Sequence, residues 1–133
     1  MIDIEAEVFT KVAEALRETF PNINVNSVTS YNPEKFPAVF IEETDNYSKL
    51  DTRDSASNEN HAVVVYEVNI YSDKPRTAKS ECKAIAQVVD TAFNRLGFTR
   101  NAKVPFNSPT ATRMRLFMRY SAVVGKDKVI YWR

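Results

Sequence analysis

Side chains that commonly perform catalysis or bind metals are few in this chain. His61 is the only histidine and Cys82 the only cysteine, so the usual zinc ligand sets and an intramolecular disulfide are both excluded. Cys82 falls on the apolar stripe of a predicted helix, where a thiol is usually buried and unreactive. His61 stands where a polar segment meets a predicted strand. We therefore expect a structural thiol and an edge histidine, not a nucleophile with its base.

The acidic side chains in the middle of the chain are scattered. Two of them end a predicted strand and three follow in a polar segment: Glu42, Glu43, Asp45, Asp51 and Asp54. General acid–base catalysis needs two carboxyl groups held on rigid elements with separated pKa values. A polar segment without periodicity does not supply that support. The sequence predicts no catalytic, cofactor-binding or metal site, and we do not expect an enzyme.

The overall composition excludes several further classes of protein. The chain has 18 Lys and Arg against 17 Asp and Glu, and a formal net charge of +1 does not favour a dedicated nucleic-acid binder. Two glycines are too few for a Walker loop or a dinucleotide-binding fingerprint. No apolar run is long enough to span a membrane, and the start MIDIEAEVF is acidic, unlike a secretory signal. We expect a protein without membrane partners that folds in a reducing cytoplasm.

Three arginines share one side of a predicted strand at residues 113–124. Strict alternation places Arg113, Arg115 and Arg119, with Phe117 among them, opposite the apolar side chains that face the core. This face could be a subunit interface, a solvated surface or a contact for nucleic acid. Glu67 lies on the mixed face of an earlier strand, and pairing between Glu67 and an arginine would neutralise part of the charge.

Residues 44–60 are the longest stretch without periodicity. They are rich in Asp, Asn, Ser and Thr, and a loop of this length is uncommon inside a small domain. The segment is either a plain surface loop or one that becomes ordered on a neighbouring subunit. In the second case its two large apolar side chains, Tyr47 and Leu50, would be the anchors.

The elements that must position these residues follow from periodicity and turn signals. Apolar residues recur at helical spacing in two segments, four further segments are predicted as strands, and residues around Pro105 and Pro109 form a predicted loop. The order α-β-β-α-β-β predicts an α+β fold, with an antiparallel or mixed sheet of four to five strands and two helices packed on one face. We expect one domain over residues 1–133, with the polar loop at about 44–60. The predicted helices cover 3–20 and 75–96, and the predicted strands cover 36–41, 61–72, 113–124 and 128–132, with 23–26 as a candidate edge strand.

Several short phrases, together with the order of elements, resemble one known family. They are Phe36-Pro37-Ala38-Val39, Val68-Asn69-Ile70-Tyr71-Ser72, Arg95-Leu96-Gly97-Phe98-Thr99-Arg100, and the strand 113–124 with its Arg119-Tyr120-Ser121. The pattern is similar to the tail terminator proteins of long-tailed bacteriophages and to the related tail-completion proteins of the neck. The resemblance spans nearly the whole chain, and its motifs are short and non-catalytic.

The resemblance implies a structural virion protein of the head–tail junction, assembled in the bacterial host cytoplasm. Such proteins form a ring, usually hexameric, that caps the tail tube and docks to the head connector, while DNA passes through the lumen without being read. A ring protomer needs two different surfaces that meet head to tail. The alternatives are another neck component, for head closure or joining, and a cytosolic regulatory or ligand-binding α+β domain.

Overall fold

The computed structural model describes residues 1–30, 32–49, 60–107 and 113–131. Within these residues the chain forms two α-helices and six β-strands. In chain order they are α1 (Glu5–Thr19), β1 (Asn24–Asn26), β2 (Ala38–Ser48), β3 (His61–Ser72), α2 (Ala78–Arg95), β4 (Thr99–Asn107), β5 (Met114–Gly125) and β6 (Ile130–Tyr131).

Neighbouring residues account for the start of α1 and for the ends of both helices. The Asp3 carboxylate accepts a hydrogen bond from the Glu5 backbone N–H at 3.1 Å, which satisfies a donor that the first turn leaves unpaired. Pro21 follows α1 and cannot continue it. After α2, Gly97 adopts φ +96°, and the Phe98 N–H donates to the Phe93 carbonyl at 3.0 Å. A glycine in this left-handed conformation is a common way for a helix to end.

The strands form one mixed sheet, and the predicted fold class is confirmed. In the described part of the chain the strand order is β1-β2-β3-β5-β4, and β6 pairs with the end of β5 beside that path. The β1–β2 pair is parallel, whereas the other pairs are antiparallel. The candidate edge strand at 23–26 is therefore confirmed as β1.

The core lies between the two helices and one face of the sheet. Every apolar position that alternation assigns to the core on β3 and β5 is buried: Val64, Tyr66, Val68, Ile70, Met114, Leu116, Met118, Tyr120, Ala122 and Val124. The helices contribute Ile85, Val89 and Phe93 from α2, together with residues of α1 spaced four apart. Burying each large aliphatic side chain stabilises the fold by about 1.5–3 kcal/mol before the loss of chain entropy is counted.

Four aromatic rings form the centre of this core. Phe93 stacks on Tyr120 with ring centroids 4.3 Å apart, and Phe98 meets both Phe93 and Tyr66 edge to face at 5.2 and 5.3 Å. Cys82 lies in the same core, as expected. Burial raises the pKa of its thiol to about 12, and the negative charge of Glu81 adds to the effect. The thiol therefore stays protonated at neutral pH.

Two segments differ from the sequence-based expectation. Residues 99–107, with Pro105 near the end, form strand β4 instead of a loop, while Pro109 lies outside the described residues. An edge strand has an open side where the missing proline N–H costs no ladder bond, so Pro105 is tolerated there. In the segment predicted as a loop at 44–60, residues 44–48 continue β2, and 50–59 lie outside the described residues. Pairing of Asp45 with Val65 and of Ser48 with Ala62 extends the ladder and overrides the weak strand preference of the polar residues.

Candidate interface on the outer face of the sheet

The sheet face opposite the helices, called the outer face below, carries the arginines singled out by the sequence. It is built from alternate residues of three neighbouring strands, which the register places side by side: Val63, Val65, Glu67, Asn69 and Tyr71 of β3, Arg115, Phe117, Arg119, Ser121 and Val123 of β5, and Ala102, Val104 and Phe106 of β4. Neither helix covers this face, because both pack on the opposite one.

Of the three arginines, Arg119 is the one that pairs with Glu67 across β3 and β5. The two residues are direct register partners, and Nε and Nη2 of Arg119 donate to Oε2 of Glu67 at 3.1 and 2.9 Å. The Arg119 guanidinium also lies 5.6 Å from the centre of the Phe117 ring. Because the Arg119 side chain is 47% exposed, the pair contributes no more than about 1 kcal/mol to stability. Its main consequence is that one of the three positive charges on this face is neutralised.

Arg115 is held between two neighbouring strands. Its Nε donates to the Asn69 side-chain oxygen at 2.8 Å, and its guanidinium lies 4.7 Å from the centre of the Phe106 ring on β4. A guanidinium over an aromatic face is attracted to the negative centre of the ring, which fixes the position of both groups. Arg115 and Phe106 are direct register partners, so the sheet itself brings them together.

Arg113 lies just before β5, at the end of the outer face near β1. Its guanidinium lies 4.9 Å from the centre of the Phe36 ring, and Nη1 donates to the Asn32 side chain at 3.3 Å. Phe36 packs in turn on a small second apolar cluster of Ala38, Phe40 and Tyr71. All three arginines that alternation assigns to this face therefore lie over aromatic rings of the same chain.

Of the two apolar side chains predicted as anchors, Tyr47 and Leu50, the structure describes one. Tyr47 lies on β2 opposite Val63 and is 51% exposed, so its ring is available at the margin of the outer face. Leu50 lies outside the described residues. Two further exposed apolar side chains, Val104 at 40% and Phe106 at 48%, come from β4. The alternation of Ala102, Val104 and Phe106 in the sequence is the signal that would have found them.

The carboxyl and phenol groups near the core are paired with each other by hydrogen bonds. Burial raises the pKa of Glu43, with repulsion from Glu5 and Asp3 adding, while hydrogen bonds from Tyr66 and Asn46 oppose the shift. Burial also raises the pKa of Tyr66 and Tyr120, whose hydroxyls donate to Glu43 at 3.2 Å and to Asp90 at 2.7 Å. Each carboxylate thus accepts the hydroxyl hydrogen of a tyrosine that stays protonated.

The described ranges contain neither a metal-binding cluster nor a helix that could span a membrane. No cluster of three or more His, Cys, Asp or Glu side chains there could hold a metal ion. His61 is the first residue of β3, a strand in the interior of the sheet, and it pairs with Gly125. Neither α1 nor α2 is long and apolar enough to cross a membrane.

Comparison with known proteins shows a likeness in fold to a solved structure. No protein-family model matches the sequence, and no curated protein matches it either. Among solved structures, the chain is similar to one from the virion of a native gene transfer agent particle, with a TM-score of 0.63 and 15% sequence identity. The match covers 87% of this chain and 92% of that chain. The two chains therefore share a fold over almost their whole lengths.

Proposed function

We propose that this protein is a structural subunit of a phage-like virion, located at the head–tail junction, where it forms a ring that terminates the tail tube and joins it to the head connector. The observation that carries the proposal is the fold shared with a virion chain of a gene transfer agent particle, because the match is nearly complete on both sides. The phrases in the sequence that resemble tail terminator proteins support the finer role.

The outer face supports a contact with another protein. It combines arginines, aromatic rings and aliphatic side chains, a composition favoured in protein interfaces. Stacking and hydrogen bonds already fix the arginines, so docking costs less side-chain entropy than it would with mobile side chains. The same contacts limit the guanidinium groups available to a DNA backbone, which suits a conduit that lets DNA pass.

The test of this function is assembly of the purified full chain, alone and with the tail-tube protein of the same virus. We expect mass photometry to show a closed ring, or a ring that forms on the end of tube assemblies and stops their growth. A chain that stays monomeric and leaves tube growth unchanged at high concentration would overturn the proposal. If the protein forms a ring that binds connector proteins but not the tail tube, it would instead belong to another position in the neck.

The role of the outer face is tested separately. Arg113→Ala removes the stacked guanidinium beside Phe36, and we expect weaker binding to the tube or connector protein with little change in folding. Lys79→Ala is the matched control, because it removes an exposed positive charge from α2 on the opposite side of the sheet. Equal effects of the two substitutions would mean that the outer face is not the contact surface.

A further inference from the structure

Strand β2 has a long open side. Its residues 38–40 pair with β1, whereas residues 41–48 have β3 on one side and, within the described part of the chain, no strand on the other. This stretch is longer than a typical whole strand of about 5–6 residues. An open strand presents N–H and C=O groups to which a strand of another molecule can add, and natural sheets block such sites. The edge strand β4 carries Pro105 and Lys103, which serve that purpose, but residues 41–48 contain neither proline nor lysine.

The Glu5 carboxylate lies on this open side of β2. Glu43 pairs with Tyr66 of β3, but its backbone N–H donates to Oε2 of Glu5 at 3.1 Å and therefore faces away from β3. Glu5 is the first residue of α1, and the Asp3 carboxylate accepts its N–H at 3.1 Å, which fixes the start of the helix beside β2. The Glu5 carboxylate thus takes the place that a carbonyl group of an added strand would occupy.

Further contacts tie neighbouring segments to the same strand. Nδ2 of Asn46 donates to the carbonyl of Ile2 at 2.7 Å, and the Ile2 side chain is buried in the core. The Glu42 carboxylate accepts from the N–H and the hydroxyl of Thr29 at 3.1 and 3.3 Å. The N-terminal segment and the segment after β1 are therefore both held to β2 by side chains, without adding a strand to the sheet.

The position of Glu5 has an electrostatic cost. Burial and, to a smaller extent, repulsion from the Glu5 carboxylate raise the pKa of Glu43. The hydrogen bond from the Glu43 N–H offsets this repulsion, because a carboxylate is a stronger acceptor than a neutral carbonyl. The contact between Glu5 and the backbone of β2 is thus a specific one, which the two negative charges alone would not favour.

We infer that Glu5 prevents a strand of a second copy of this chain from adding to β2, and that loss of its acceptor oxygens opens β2 to pairing between copies. A strand that displaced Glu5 would replace a charge-assisted hydrogen bond with a weaker neutral one. The shift of register between Glu43 and Asp45 adds to the block, because a bulge disrupts the ladder that an added strand needs. The inference goes beyond the proposed function, since it concerns a contact that the chain avoids in any ring that it forms.

Two substitutions of Glu5 test the inference. Glu5→Ala removes the acceptor, and we expect self-association at least about tenfold tighter than in the parent. Glu5→Gln removes the same charge but keeps an oxygen that can accept from Glu43, so we expect it to behave nearly as the parent does. Glu7→Ala is a further control, because it loses a carboxylate from the same helical turn that contacts Lys128 instead. Sedimentation velocity over a range of concentrations measures association, and thermal melting verifies folding.

Amide hydrogen exchange gives a second, independent measurement. At concentrations too low for association, we expect the Glu43 amide to exchange at least about tenfold faster in Glu5→Ala than in the parent. The amide of Val68, in the interior strand β3, should keep its protection. A general loss of stability would instead accelerate both amides, so the comparison separates an opened strand from a weakened fold.

A second variant closes the opened strand by other means. Thr44 is an exposed residue at the bulge of β2. Thr44→Lys in the Glu5→Ala background places a charged side chain on the open strand, which natural sheets use to block pairing. We expect this double variant to lose the additional self-association while its Glu43 amide still exchanges rapidly.

The outcomes separate this inference from the proposed function. Tighter association of Glu5→Ala, with parent-like behaviour of Glu5→Gln and recovery in the double variant, supports the role of Glu5. The inference is overturned if Glu5→Ala associates no more than the parent, if Glu5→Gln or Glu7→Ala associates as strongly, or if exchange of the Glu43 amide is unchanged. These experiments use the chain without tube protein, so their failure leaves the proposed function intact. A parent that neither forms a ring nor acts on the tube overturns that function alone.

Discussion

At the scale of single residues, two tyrosines connect the apolar core to carboxylates at its margin. Tyr120 and Tyr66 are almost fully buried, and their hydroxyls donate to Asp90 and Glu43. A buried hydroxyl without a partner would cost about 1–3 kcal/mol, so each carboxylate removes a penalty that the ring brings into the core. The Asp90 carboxylate is further held by Arg100 at 3.1 Å.

Tyr120→Phe removes one of these hydrogen bonds and keeps the ring. We expect the free energy of unfolding to fall by about 1.5 kcal/mol, because the hydroxyl donates to a charged group at 2.7 Å while the stack on Phe93 persists. Urea unfolding of the parent and the variant measures the difference. Tyr66→Phe is the matched comparison, with a longer bond of 3.2 Å and a smaller expected loss. Identical midpoints for Tyr120→Phe and the parent would contradict a net contribution from this bond.

Glu43 gives stability a dependence on pH. Burial, then repulsion from Glu5 and Asp3, hold its pKa above the ordinary value of 4.5. The folded chain therefore binds this proton more tightly than the unfolded chain does, so protonation favours folding. The resulting stabilisation is present below pH 4.5 and is lost as the pH rises through the raised pKa.

Glu43→Gln removes that titration while keeping an oxygen that can accept from Tyr66. We expect the variant to gain stability relative to the parent as the pH rises from about 4 to 7, because only the parent then carries the buried charge. Urea unfolding at several pH values measures this difference. Parallel stability curves for the two proteins would show that the Glu43 carboxyl does not titrate differently in the folded state.

At the scale of elements, the connection from α2 to β4 depends on one glycine. Gly97 has φ +96°, a left-handed conformation that L side chains rarely adopt. A Cβ at this position would also lie 2.8 Å from Cγ2 of Ile130, which belongs to β6. The helix end and the last strand are therefore fitted to each other at this point.

Gly97→Ala should destabilise the protein by about 1–3 kcal/mol, through backbone strain and the contact with Ile130. Introducing the same change into an Ile130→Ala background separates the two causes, because the steric part then disappears and the backbone part remains. Thermal unfolding of the four proteins completes the cycle. Equal losses in both backgrounds would assign the whole effect to the backbone.

The elements also show which parts of the fold sequence patterns predict and which they do not. Both helices and the long strands β3 and β5 follow from periodicity, since each buries a complete face in one core. Strand β4 was not predicted, because Pro105 reads as a breaker and only the sheet order shows that the strand lies at an edge. The second half of β2 was not predicted either. Its residues Asp45 and Asn46 have weak strand preference, and pairing with Val65 and Val64 decides their conformation.

At the scale of the whole molecule, helices cover one face of the sheet. The outer face instead carries arginine side chains that stack on aromatic rings of the same chain. Alternation alone predicts that Arg113, Arg115 and Arg119 share the outer face and that Glu67 can pair with one of them. The aromatic partners Phe36 and Phe106 could not be predicted, because they are distant in sequence and reach the arginines only through the register and packing of the fold. The outer face therefore carries less net positive charge than the arginines of β5 alone indicate. Its guanidinium groups are also held in place by their partners.

This distribution of charge leads to an expectation about DNA. The net charge is +1, and Arg119 is paired with Glu67, so few phosphates could be contacted at once. Each contact that is made loses strength as salt rises, because binding releases condensed counterions. We expect affinity for duplex DNA to be no tighter than ordinary non-specific binding, about 10⁻⁴–10⁻⁶ M at physiological salt.

Fluorescence anisotropy of a labelled duplex, titrated with protein at about 50–200 mM salt, measures this affinity. Glu67→Gln is the informative variant, since it releases Arg119 and should increase binding at low salt. Arg115→Ala should change binding little in the parent, because its guanidinium is engaged with Asn69 and Phe106. Submicromolar binding by the parent at physiological salt that disappears in Arg115→Ala would instead make the outer face a nucleic-acid surface, and the assignment of this face to protein contacts would then be wrong.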